Sequence, residues 1–326
     1  MADGTLPFLL KILAAAEPLS LQAHPTLEQA KAGYAAENEL GIAPTAPHRN
    51  YRDANHKPEL IVALTRFEAL AGFRPVERTR ELFDELAIPE LGHYTVLLDA
   101  PSAEEGLRAL FTTWLTLPSR VLGDLVEAVR AACAAYEGDG WVGQVAATTA
   151  DIAARYPGDP GVLASMLLNR ITLEPGEGIY LGAGQLHAYL SGMGVEIMAN
   201  SDNVLRGGLT SKHVDVVELL RVLNFSPAVD PVVRPIVDGA VSTYPTDAAE
   251  FRLTRVSIPA GDSVAVPTTG AAIVLVVEGA AEVSSRSGEV RLSPGGAAWV
   301  PACETDRVLW SVGGAPVEAF VASVPA

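Results

Sequence analysis

Cysteine is scarce in this chain. Cys133 and Cys303 are the only two in 326 residues and stand far apart, which excludes a disulfide framework and a zinc knuckle built on paired thiolates. Both read as small buried hydrophobes. Long apolar runs are missing as well: 49% of the residues are hydrophobic, yet no stretch is long and apolar enough to span a bilayer. The pattern is that of a soluble protein. The start, MADGTLPFLLKIL, has neither the basic opening nor the small-residue cleavage site of a secretory signal, which favours the cytoplasm. Positive charge is in deficit, with 23 Lys and Arg against 39 Asp and Glu for a formal charge of −16. That deficit excludes nucleic acid and an anionic membrane as partners, since both need basic surface to displace counterions. A small anion stays admissible, because at a screening length of about 8 Å a pocket responds to its own lysines and arginines more than to a distant acidic surface.

The chain is long enough for two or three domains, and its texture changes along its length. Residues 1–66 mix short apolar runs with loops, and the Pro-, Asn- and His-rich stretch from Gly41 to Pro58 reads as a long functional loop. Residues 67–170 read as a helical insert. "SAEEGLRALFTTWL" opens with Ser102 followed three positions later by Glu105, a capping-box signal, and "LGDLVEAVRAACAAY" repeats its apolar residues at helical spacing. From Ile171 onward short β-type runs take over, among them "GIYLGA", "VEIMAN", "FRLTRVSI" and "AAIVLVVEG". "LEPGEGIYLGA" (173–183) also aligns without gaps to "LSPGGAAWVPA" (292–302), each a strand, Pro-Gly turn and strand. Two related β units are the expectation, and continuing the register sets His187 against Asp306. The second unit would then lack the histidine.

Within "PLSLQAHP", Gln22 and His24 stand two apart, so on a strand both face one side while Leu21 and Ala23 face the other. Further donors are Glu59, in "NHKPEL" beside His56 and Lys57, and His187, after the glycine turn of "GAGQLHAY". One amide oxygen, two imidazoles and one carboxylate suit a divalent first-row metal, zinc above all, with the low ligand charge of a catalytic rather than a structural site. "GVEIMANSDNVLRGGLTSKHVDVVELL" (194–220) concentrates Glu196, Asp202, Arg206 and Lys212. Its "NSDN" is also an ordinary turn sequence, while "LRGGLT" offers amides and a guanidinium to an oxyanion.

"PFLLKILAAAEPLSLQAHP", "NHKPEL" and "GEGIYLGAGQLHAYLSGMGVEIMANSDNVLRGGLTSKHVD" resemble, in order, the signature blocks of type I phosphomannose isomerases, with the helical insert between the second and third. The resemblance implies a mainly β, cupin-like fold of two barrels plus an α-helical domain. Residues 1–66 and 171–225 would form the catalytic barrel, 67–170 the helices, and 226–326 a C-terminal barrel without metal. It implies one Zn2+ per chain held by Gln22, His24, Glu59 and His187, with Arg206, Lys57, Glu196, Asp202 and His56 catalytic. Ser20 and Lys212 would contact the substrate phosphate. The implied reaction interconverts mannose 6-phosphate and fructose 6-phosphate through a cis-enediol, and the implied partner is this small phosphorylated sugar. Family members carry a further segment before "PFLLK", with a Trp-Gly motif and an "AELW"-like strand, so the expectation is a truncated or shortened N-terminus. Oligomeric state is not encoded in any of these patterns. Two other functions share the features: a non-catalytic cupin-type sugar- or metal-binding protein, and an isomerase of another phosphorylated sugar. Arg206 and Lys57 speak for catalysis, because a passive metal has no need of cations beside it.

Overall fold

The computed structural model describes residues 5–228 and 231–325. The first half runs β1 (Phe8–Ala15), β2 (Leu21–Ala23), α1 (Leu27–Glu39), β3 (Glu59–Ala63), β4 (Phe67–Phe73), α2 (Val76–Leu86), α3 (Gly92–Thr95), α4 (Ala103–Leu115), α5 (Ser119–Ala135), α6 (Gly140–Arg155), α7 (Pro160–Ser165), β5 (Leu168–Leu173), β6 (Gly178–Leu181), β7 (His187–Ala199), β8 (Leu205–Gly208) and α8 (Val216–Val222). The rest is β structure: β9 (Val232–Val233), β10 (Ile236–Asp238), β11 (Val241–Thr243), β12 (Arg252–Ile258), β13 (Ser263–Ala265), β14 (Ala272–Glu278), β15 (Ala280–Ser285), β16 (Gly288–Leu292), β17 (Ala297–Val300), β18 (Val308–Val312) and β19 (Val317–Ser323). The chain is mainly β, with two barrels and one helical body, as the cupin-like resemblance implied.

The first barrel is ordered β5-β4-β7-β3-β6-β9, with β1, β2 and β8 attached through β7 and β2. The long β7 is its spine, pairing with β1 and β3 through its second half and with β2 and β4 through its first. Alternation decides what each face does. In β3, Ile61 and Ala63 fill the barrel with Phe67, Ala69, Leu181 and Tyr189. Leu60 and Val62 point the other way, into a seam with Tyr244, Phe251, Leu275 and Phe320 of the C-terminal half. A strand buried on both faces needs an unbroken apolar run, and "LIVA" provides it.

The helices begin later than the sequence pattern indicated. Phe67–Phe73 is strand β4, paired with β5 and β7, so the insert starts at Val76 and ends with α7, and Leu168 already belongs to β5. "FEALAGF" carries helix-favouring Ala and Leu, but enclosure between two strands outweighs propensity. Ser102 caps α4, its Oγ accepting from Glu105 N at 3.2 Å. Leu122, Leu125, Val126, Val129 and Cys133 form one face of α5. These faces share a core with Leu21 and Ala23 of β2, Leu190 of β7 and Leu205 of β8. The helical body thus covers the outer side of the strands that carry Gln22, His187 and Arg206. Cys303, expected to be buried, is exposed, while Cys133 is buried.

The two Pro-Gly turns have the same hydrogen bonds. Gly176 N donates to Ala63 O and Gly295 N to Val276 O, both at 2.8 Å, and Glu177 N and Gly296 N close onto Glu174 O and Ser293 O. Gly176 and Gly295 both have positive φ, 92° and 82°, a conformation that glycine adopts without steric cost. The strand network repeats as well: β12-β19-β14-β17 mirrors β1-β7-β3-β6, and β16-β15-β18-β13 mirrors β5-β4-β7-β2. In this match the helical body occupies the place of the tight β15–β16 turn. Glu59, paired with Leu181, corresponds to Ala272, paired with Val300, and Glu196, opposite Ile61, corresponds to Val321, opposite Val274.

Phe111 of α4 is fully buried and meets Phe73 and Phe225 edge-on at 5.7 Å between centroids. Phe111→Ala should cost about 3–5 kcal/mol, read from the shift of the urea unfolding midpoint. A loss under about 1 kcal/mol would show that the helices and barrel do not share one core.

Candidate metal centre and its surroundings

Three side chains meet at one end of the first barrel. Glu59 is the first residue of β3, His187 the first of β7, and His24 follows the last residue of β2. Gln22 lies opposite His187 in the β2–β7 pairing and opposite Arg206 in the β2–β8 pairing, so these three share a face. His24 has left the strand, and its carbonyl accepts from Gly184 N at 2.8 Å. His24 and His187 are 1% exposed and Glu59 2%. His24 Nε2 stands 3.3 Å from Glu59 Oε1, and His187 Nε2 stands 3.5 Å from Glu59 Oε2. One donor atom from each of the three lies within 4.8 Å of the others.

The far side of each ring fixes its tautomer. His24 Nδ1–H donates to Asn203 O at 2.8 Å and His187 Nδ1–H to Gln185 O at 3.0 Å. A carbonyl only accepts, so in the neutral rings both protons sit on Nδ1 and both Nε2 lone pairs are left toward Glu59. Those two Nε2 atoms and Glu59 Oε2 are buried without a hydrogen-bond partner. Acceptors facing one another in a dry site are costly. A divalent cation satisfies all of them, and two imidazoles with a carboxylate, plus the amide of Gln22 on the same face, suit zinc.

Burial lowers the His24 pKa below 6.5 against the pull of Glu59. Burial by itself would raise the Glu59 carboxyl, but His24, His187 and Lys57 outweigh it and hold it well below the usual range. Lys57 Nζ is 3.3 Å from Glu59 Oε1.

The other candidates spread outward from this group. Glu196 sits one layer deeper, 1% exposed and ion-paired to Lys11 Nζ at 2.6 Å. Its carboxyl is raised by burial and by Glu59, with Lys11 opposing. His56 is half-buried, its Nε2 2.6 Å from Glu250 Oε1, and Asp202 is exposed. Arg206 is half-buried, and burial and the neighbouring Arg52 both disfavour its charge. Ser20 is half-buried next to β2, and Lys212 is exposed beyond β8. Sequence reasoning passed over Lys11, Arg52, Asn203 and Glu250. Lys11 alone left a signal, as the charged member of the Leu9, Lys11, Leu13 face; the other three act across distances that only folding closes.

The family model for the type I phosphomannose isomerase catalytic domain matches residues 1–76. Mannose-6-phosphate isomerase of Escherichia coli (strain K12) is 37% identical over 306 residues, 93% of this chain and 76% of that protein. The Rattus norvegicus enzyme of the same name is 34% identical over 325 residues, 93% and 74% of the two. A crystal structure of zinc-bound mannose 6-phosphate isomerase superposes with a TM-score of 0.85 at 36% identity, covering 98% of this chain and 79% of that one. A mutant phosphomannose isomerase from Salmonella typhimurium reaches 0.88 at 34% identity, covering 99% and 80%.

Two outcomes follow from the geometry. His187→Ala and Glu59→Ala should each lose stoichiometric metal by elemental analysis, and a full equivalent retained in both would refute the cluster. Acid should act with a defined sign. His24 binds its proton less readily folded than unfolded, so its contribution to stability is complete above about 6.5 and declines as pH falls below it. Glu59 adds a second loss at still lower pH, below its usual 4.5. Thermal melts of the metal-free protein should therefore show a midpoint falling from about pH 6.5 to about pH 4; a midpoint that rises there would reverse the sign.

Proposed function

The chain belongs to the type I phosphomannose isomerases, and we propose that it interconverts mannose 6-phosphate and fructose 6-phosphate with zinc as cofactor. On that premise we propose that Gln22, His24, Glu59 and His187 hold the zinc ion and that Arg206, Lys57, His56 and Asp202 act on the sugar. The observation that carries this is the set of buried acceptors, His24 Nε2, His187 Nε2 and Glu59 Oε2, converging with no donor among them.

Isomerisation moves a proton between C1 and C2 through a cis-enediol. Zinc supplies Lewis acidity, polarising a carbonyl oxygen and offsetting negative charge as it develops. The chain's own residues do the rest. Lys57 brings a fixed positive charge to the site edge, 3.3 Å from Glu59. His56 gives its Nε2–H to Glu250, which leaves Nδ1 of the neutral ring as the basic nitrogen. Asp202 offers a carboxylate on an exposed loop of the same region. Exposure favours His56 and Asp202 as proton carriers over Glu196, which is buried and already ion-paired to the exposed Lys11. Arg206 lies opposite Gln22 with Arg52 near it, and its planar fork suits phosphate or enediolate oxygens. Ser20 and Lys212, flanking the paired β2 and β8, fit as phosphate contacts. The same reading assigns residues 5–73, 168–228 and 232–233 to the catalytic barrel, since β9 pairs with β6 rather than with the C-terminal strands as the 226 boundary implied, 76–165 to the helical body and 236–325 to a barrel without metal. A cytoplasmic setting belongs to it too, supported by the exposed free thiol of Cys303, which suits a reducing compartment. No described helix is long and apolar enough to cross a membrane.

The test is a coupled assay with mannose 6-phosphate, with and without a chelator: activity should vanish with the metal and return with added zinc. Arg206→Ala should lower turnover by roughly two or more orders of magnitude, as for loss of an oxyanion donor, with zinc content unchanged. Near-normal turnover would leave Arg206 a strand residue with no part in the reaction.

A further inference from the structure

We infer that Asp53, which contacts none of His24, Glu59 and His187, is a positioning residue for the reaction: its carboxylate ties the 52–56 turn to the 201–203 loop and so sets both the His24 ring and Asp202. The inference rests on the isomerase reading above.

The ring of His24 is oriented by a main-chain carbonyl, Asn203 O at 2.8 Å, which no side-chain substitution can remove. What places that carbonyl is therefore what places the ligand. Asn203 is fully buried, and its side chain is held at both ends. Its Oδ1 accepts from Arg52 N at 2.7 Å and Asp53 N at 3.2 Å. Its Nδ2 donates to Asp53 O at 2.8 Å and Asn55 O at 2.9 Å. Asp53 closes the structure from the opposite side. Its Oδ1 accepts from Asn55 N at 2.9 Å, Ser201 Oγ at 2.8 Å and Asn203 Nδ2 at 3.2 Å, and its Oδ2 accepts from Asp202 N at 2.7 Å.

Every partner of the Asp53 carboxylate is a donor, and only an ionised carboxylate accepts at every lone pair. An asparagine of the same shape would turn an NH2 toward the Asp202 N–H or toward the Oδ1 donors, so even this isosteric change breaks the tie. The turn anchored in this way continues directly into His56, Lys57 and Glu59. One carboxylate thereby holds together three parts of the site: the strand entry bearing Glu59, the loop bearing Asp202, and the carbonyl that aims His24.

Asp53→Asn should weaken zinc binding by about tenfold or more in a chelator competition, the scale seen when support behind a metal ligand is removed. At saturating zinc it should also lower kcat for mannose 6-phosphate while KM changes by less than about threefold, because Asp202 is displaced while the groups that grip the sugar stay in place. A folded variant with wild-type zinc affinity and kcat would overturn the inference, as would a lower thermal midpoint with both unchanged, which would make Asp53 a stability residue only. Should Asp53→Asn fail to fold, Ser201→Ala removes just one of the donors. A few-fold loss of zinc affinity would support the tie and an unchanged affinity would sink it. Zinc affinity is read without substrate, so a wild-type protein inactive on mannose 6-phosphate would count against the isomerase reading and leave this measurement standing.

Discussion

A carboxylate buried at the end of a barrel must be compensated, because an unpaired buried charge costs several kcal/mol even after relaxation. Glu59 is in that situation, at 2% exposure, and the local architecture follows from what it requires. Three strand ends, those of β2, β3 and β7, stop at one level, where the Lys57 ammonium reaches Glu59 and two imidazoles complete with it a set of acceptors suited to a cation. The imidazoles are then committed in turn, their Nδ1 protons held by carbonyls of two different loops. Each compensation draws in another loop, and the sum is a candidate metal centre whose side chains have little freedom to turn.

The second barrel shows what the same framework becomes without that requirement. Where the first has Glu59, Glu196 and Lys11 at matching strand positions, the second has Ala272, Val321 and Thr254, and its interior closes with Val256, Val274, Val276, Val283 and Val300. Apolar filling needs no partners, and the turn between β15 and β16 stays short. In the first barrel the equivalent turn is expanded into the helices α2 to α7, which pack on the outside of β2, β7 and β8. Strands carrying functional side chains inward are thereby stiffened from behind, which is how a barrel holds ligands on rigid elements.

Charge is distributed with a local logic that the total conceals. The chain is strongly acidic, yet Lys57 stands beside Glu59 and Arg52 beside Arg206, whose charge burial and that neighbour both disfavour. A negative surface beyond the screening length does little to oppose the local field of these cations.

Much is legible in the sequence. The donor chemistry of Gln22, His24, Glu59 and His187 can be assembled from residue types alone, and the Pro-Gly repeat announces two related barrels, because turns and ligands depend on particular residues at particular spacings. Ser102 marks its helix start for the same reason. The boundary at Phe67 is hidden because a strand enclosed on both faces and a buried helix segment carry the same apolar composition. The exposure of Cys303 is hidden because burial of a single small residue is not written in its neighbours. Tertiary structure alone decided that Glu196 is buried with the exposed Lys11 as its ion-pair partner, that His56 leans on Glu250, and that Asp53 and Asn203 stand behind His24. Those are contacts between residues far apart in the chain, set by strand register and loop docking, and no local pattern encodes a distance between segments that only the folded core brings together.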